Sequence, residues 1–66
     1  MFIVLKDVDL DKNRIIRIEH IFECEEVDGG FVRVWLALEV YGSSNSFLTH
    51  HTVNEIMEKL GLHNKR

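Results

Sequence analysis

The chain contains no proline and a single cysteine, and both scarcities narrow what 66 residues can be. Cys24 has no partner for an intrachain disulfide, so the oxidised staples that hold up many small secreted domains are excluded. A lone thiol fits a reducing compartment instead. Long apolar runs are missing too. Met1 to Leu5 is apolar, but Lys6 follows and Asp7, Asp9 and Asp11 come soon after, so neither a signal-peptide core nor a membrane-spanning helix is expected. The expectation is a cytoplasmic chain. Low-complexity tracts are absent, and with 45% of residues hydrophobic disorder is disfavoured.

Positive charge is also scarce. Eight Lys and Arg against eleven Asp and Glu give a net charge of -3, and the cations stand singly except at the last two positions. A domain that grips phosphate backbones carries a basic patch, so direct nucleic-acid binding is disfavoured. The length implies one domain over residues 1–62 with a polar tail at 63–66. A domain this small buries only about 60% of the surface its unfolded chain exposes. With no disulfide available, self-association is the expected supplement.

What is present reads mainly as strand. Residues 2–5, FIVL, are strand formers too few for a helix, and suit a strand covered on both sides. Asp9, Asp11 and Asn13 in VDLDKN mark the first connection. In RIIRIEHIFECEE, alternation places Ile16, Ile18, His20, Phe22 and Cys24 on one face and Arg17, Glu19, Glu23 and Glu25 on the other, and the β-branched content favours strand over helix. In FVRVWLALEVY, Val32, Val34, Leu36, Leu38 and Val40 form a uniformly aliphatic face. Phe31, Arg33, Trp35, Ala37, Glu39 and Tyr41 form the other.

VDGGF lies between these two ribbons. If both aliphatic faces are to meet one core, parity excludes a two-residue Asp-Gly turn and selects a three-residue loop, Asp28-Gly29-Gly30, with glycine in the left-handed conformation. That register sets Cys24 opposite Val34, Phe22 opposite Leu36, His20 opposite Leu38 and Ile18 opposite Val40. On the outer face it sets Glu25 opposite Arg33, Glu23 opposite Trp35, Glu19 opposite Glu39 and Arg17 opposite Tyr41. GSSNS is a polar loop, and SFLTHH is a brief further strand of the meander. Thr52 and Glu55 spell a capping box before Val53, Ile56, Met57 and Leu60 at helical spacing, and Gly61 ends the helix with Leu62 folding back on Met57. The resulting fold is α+β: an antiparallel meander of three to four strands with one short C-terminal helix packed on one face, against Leu36, Leu38 and Phe22.

The candidate partner-binding residues are Trp35, Phe31, Arg33, Tyr41, Ile21 and Arg17, all assigned to the outer face, with Ala37 and Ile15 nearby. Trp, Tyr and Arg are the types enriched where partners bind. The plainer reading is that these rings merely cover the sheet or are covered by the N-terminal segment. His20, His50, His51 and His63 lack the close spacing of a zinc site, so no metal and no cofactor are expected. Cys24 and His20 share a strand face at roughly 13 Å, too far for a nucleophile and its base. No phosphate cradle exists, and Glu23, Glu25, Glu26 and Asp28 read as solvated charge at a strand end.

The Ile-rich strand ending in acids and the closing VNEIMEKL are loosely similar to the small flagellar regulatory family FlbD, which also ends in an acidic amphipathic segment. The Trp-bearing strand and GSSNS depart from that family's pattern, and no role is carried over from it. The expected function is non-catalytic protein binding: a small regulatory module, a homodimer or an inhibitor of the phage or mobile-element type, acting through the aromatic outer face or an edge strand. The alternative is a single-stranded nucleic-acid or small-ligand binder stacking on Trp35, Phe31 and Tyr41.

Overall fold

The computed structural model describes residues 1–62; the polar tail expected at 63–66 lies outside the described residues. The chain is a mixed α+β fold in which strands dominate. β1 (Phe2–Asp7) and β2 (Lys12–Arg17) form an antiparallel hairpin, and β3 (Ile21–Val27), β4 (Phe31–Leu36) and β5 (Ser46–Thr49) form an antiparallel meander in that spatial order. One helical turn, α1 (Leu38–Tyr41), follows β4, and the helix α2 (Val53–Leu60) closes the fold. β1 runs beside β5, where the Val8 N–H donates to the Leu48 carbonyl at 2.9 Å. The expected single sheet is thus two sheets sharing a core. No helix among the described residues is long and apolar enough to cross a membrane.

β1 alternates strictly: Ile3, Leu5 and Asp7 are buried, whereas Phe2, Val4 and Lys6 are exposed. The expectation of a strand covered on both sides is therefore corrected. β1 belongs to a two-stranded hairpin, and only the inner face of such a hairpin meets the core. Its tight turn is held by the Asp7 carboxylate, which accepts from the Leu10 N–H at 3.2 Å.

Residues 14–25 do not form one ribbon. β2 pairs along β1 up to Phe2–Arg17 and there runs out of partner, since Phe2 is the first residue of β1. Ile18–His20 then make a 3₁₀ turn. The chain switches sheets through this turn, whose backbone groups bond to distant partners: the Ile18 N–H donates to the Met1 carbonyl, and the His20 carbonyl accepts from the Ala37 N–H.

The β3–β4 hairpin has the register that parity requires, with Cys24 opposite Val34, Glu25 opposite Arg33 and Glu23 opposite Trp35. Val27 pairs with Phe31 around the three-residue loop, and Gly29 and Gly30 take positive φ of 89° and 80°. Beyond Glu23 the register slips, so that Ile21 rather than Phe22 faces Leu36. The remaining expected pairs do not form. β4 stops at Leu36 because neither neighbouring strand continues: β3 gives way to the 3₁₀ turn at His20, whose carbonyl takes one last bond from the Ala37 N–H, and β5 begins at Ser46, opposite Trp35. Leu38–Tyr41 coil into a helical turn, with Val40 and Tyr41 N–H groups on the Ala37 carbonyl. Arg17 and Tyr41 are consequently not paired, nor are Glu19 and Glu39.

The core consists of Ile3, Leu5, Ile16, Val32, Val34, Leu36, Phe47 and Ile56, one to three from each contributing element. Each such side chain contributes about 1.5–3 kcal/mol by leaving water. α2 contributes Ile56, flanked by Val53 and Leu60. It starts at the expected capping box, Thr52 accepting from the Glu55 amide at 3.1 Å while Glu55 accepts from the Thr52 amide at 2.9 Å. It ends at Gly61 with φ 80°, where Gly61 and Leu62 amides return to Glu58 and Met57 carbonyls. Leu38 and Phe22, expected beneath this helix, are 64% and 78% exposed.

Candidate partner-binding surface

A β-bulge builds the site. With Ile21 opposite Leu36 and Glu23 opposite Trp35, Phe22 is the extra residue on β3 and has no cross-strand partner. A bulge re-aims the side chains around it. Here the exchange is between neighbours: Ile21, expected outside, packs against the core, while Phe22, expected inside, becomes an exposed ring.

Where β3 slips and β4 ends, a groove of about 390 Å³ opens at this end of the sheet. Ile21, Leu36 and Ala37 line it together with Phe22, Trp35 and Leu38. Glu19, His20, Glu39 and Asn45 supply its polar border, and among the described residues no lysine or arginine lines it. A hydrogen bond from its own backbone amide holds the Glu19 carboxyl below the usual range, helped by the N-terminus, Arg17 and His20 nearby. Glu19 is therefore charged at neutral pH.

The expected site residues divide into two groups. Trp35, Phe31 and Arg33 do share the outer face of β4, each half-buried. The Trp35 indole N–H donates to Glu25 at 3.4 Å, Arg33 lies 5.8 Å from the Trp35 ring centre and donates to Ser46, and Phe31 packs on His50 at 5.0 Å. Trp35 borders the groove. Tyr41, Ile21 and Arg17 do not join this face. Tyr41 packs toward the core with its hydroxyl 3.2 Å from His20 Nδ1. Ile21 is turned inward by the bulge, and Arg17 sits at the end of β2 with its guanidinium 5.1 Å from the Phe2 ring. Ile15 is 72% exposed on the same hairpin, directly opposite Val4.

Phe22 and Leu38 were missed because alternation placed both inward. One signal was available: Ile21 and Phe22 are adjacent large apolar residues, and an unbroken strand cannot bury both on one side. Among the described residues no three His, Cys, Asp or Glu side chains gather as a metal site requires. His51 approaches Glu55 at 3.7 Å beside the helix start. Burial, with the Glu23 carboxylate adding to it, pushes the Cys24 thiol above its ordinary pKa, the opposite of what activates a nucleophile. No protein-family model, curated protein or solved structure matches the chain.

Proposed function

We propose that the chain is a non-catalytic protein-binding module that takes up part of a partner protein at the groove beside Trp35. One observation carries this reading. Phe22 is 78% exposed and Leu38 64% exposed at the border of an apolar groove, and grouped apolar side chains left in water mark interaction surfaces. Trp35 next to them supplies the residue type most often found at the energetic centre of an interface. A module of this kind acts by occupying its partner, as a small regulator or inhibitor does, including those carried by phages and mobile elements. That part of the reading rests on size and on the poor nucleophile that Cys24 makes. The unpaired Cys24 supports placing the module in the reducing cytoplasm.

The stacking alternative finds less support. Trp35, Phe31 and Tyr41 do not make one platform, since Tyr41 packs toward the core against His20 and Phe31 is already covered by His50.

Light scattering and partner capture from a lysate by the wild type, Trp35→Ala and Trp35→Glu test the proposal. The variants are expected to stay folded and to lose capture tenfold or more, since truncating a central interface tryptophan costs about 2 kcal/mol or more. A wild-type dimer that becomes monomeric in both variants would assign the partner to a second copy. Equal capture and equal mass for all three overturn the reading.

A further inference from the structure

The charge around the groove points to the chemistry of what it receives, an inference that rests on the docking function proposed above. Residues 19–39 carry Glu19, Glu23, Glu25, Glu26, Asp28 and Glu39 against Arg33 alone. Glu19 and Glu39 line the groove, Glu23 follows Phe22 and pairs across from Trp35, and Glu25 holds the Trp35 indole. Arg33, the cation of this segment, is turned to Ser46 and the Trp35 ring, and Glu19 is met from outside the segment by the N-terminus and Arg17, each at 4.0 Å. Neither Glu23 nor Glu39 has an ion-pair partner among the described residues.

Four occupants compete for such a surface. A second copy seated groove to groove would set Glu19, Glu23 and Glu39 against the same residues about a twofold axis, because an isologous interface opposes each patch to itself. Like charges so opposed repel and select against that partner. A nucleic acid meets the same repulsion from its phosphates. An added strand along the free edge of β3 is hindered by the bulge at Phe22 and by the acids at 23, 25 and 26, the devices that protect edges from pairing. A segment with an apolar anchor and flanking lysine or arginine meets none of these obstacles. Its anchor fills the space between Phe22, Leu38 and Trp35, and its cations reach the carboxylates at the border.

We infer that the groove receives a basic amphipathic segment of a partner protein, held by an apolar side chain between Phe22 and Leu38 and by Lys or Arg against Glu19, Glu23 and Glu39. Trp35 is the chain's one tryptophan, so its emission reports on the site. Two synthetic amphipathic peptides serve as probes, one of leucine and lysine and one with every lysine replaced by glutamate. The Leu–Lys peptide is expected to bind at least tenfold more tightly than its Leu–Glu counterpart and to weaken as salt rises, as screened charge pairs do. Glu19→Gln and Glu39→Gln together should lower its affinity roughly fivefold, and Phe22→Ser should abolish the emission change. All three positions are exposed, and far-ultraviolet circular dichroism confirms that each variant is folded.

Equal binding of the two peptides, or an affinity untouched by the double glutamine variant, rejects the basic partner. If Trp35→Ala still loses lysate capture in that case, the docking function stands without it. If capture is unchanged as well, both are overturned.

Discussion

Ile21 lies directly across the ladder from Leu36, one residue out of step with the pair formed by Glu23 and Trp35. Everything unusual about this surface follows from that slip. It hands a place against the core to an isoleucine, puts a phenylalanine into water, and leaves space where β4 has ended and no strand continues.

The slip makes a stability prediction with two arms. Phe22→Ser should change the free energy of unfolding by no more than about 0.5 kcal/mol, as exposed substitutions do. Leu36→Ala, at a position 1% exposed, should cost about 2–5 kcal/mol. Urea denaturation of the two variants decides this, and comparable losses would mean that Phe22 is inside.

Thr49 is fully buried in β5, and its hydroxyl has no hydrogen-bond partner among the described residues. Thr49→Val removes a desolvated hydroxyl and keeps the shape. The variant should be more stable by about 1 kcal/mol, read as a higher urea midpoint with an unchanged slope.

Asp7 is 3% exposed and is paired with Arg14 at 3.3 Å. Arg14 also lies 4.6 Å from the ring centre of Phe47, so it both neutralises a buried carboxylate and covers a core ring. Arg14→Ala should cost about 3 kcal/mol, because removing one partner strands a buried charge. Arg14→Met, which restores the apolar cover alone, should recover only a minor part of that loss.

The Cys24 thiol has its pKa raised, by burial first and by Glu23 second. The folded state therefore resists ionisation more than the unfolded chain does. This contribution to stability is full below the ordinary thiol pKa of about 8.5 and is lost as pH climbs through the higher folded value. Cys24→Ala should flatten the alkaline fall in stability, and the wild-type thiol should react with disulfide reagents at neutral pH more slowly than free cysteine.

Much of this arrangement can be read from local sequence. Parity between Cys24 and Val34, with Gly29 and Gly30 between them, sets the hairpin register, and Thr52 with Glu55 and Gly61 sets both ends of α2. Those features depend on residues close in the chain. The breaks at Ile18–His20 and after Leu36 do not. Alternation runs on through Ile18, His20, Leu38 and Val40, and a strand ends there only because its neighbour has ended, which is a property of the assembled sheet. FIVL likewise looks the same from both faces, and only the hairpin's position shows that Ile3 and Leu5 are inside while Phe2 and Val4 are not. Trp35, Phe31 and Arg33 share one face, as alternation predicts, because β4 is regular. Tyr41, Ile21 and Arg17 were separated from them by the two breaks and the bulge.

Two exposed apolar residues on different sheets separate the groove from ordinary surface hydrophobicity: Phe22 at 78% and Ile15 at 72%. The deciding measurement is partner capture, quantified side by side for Phe22→Ser and Ile15→Ser. Capture should fall at least tenfold for Phe22→Ser and stay within twofold for Ile15→Ser, in line with the concentration of binding energy at a few central residues. The reverse order, or losses of equal size, would contradict a docking surface at the bulge.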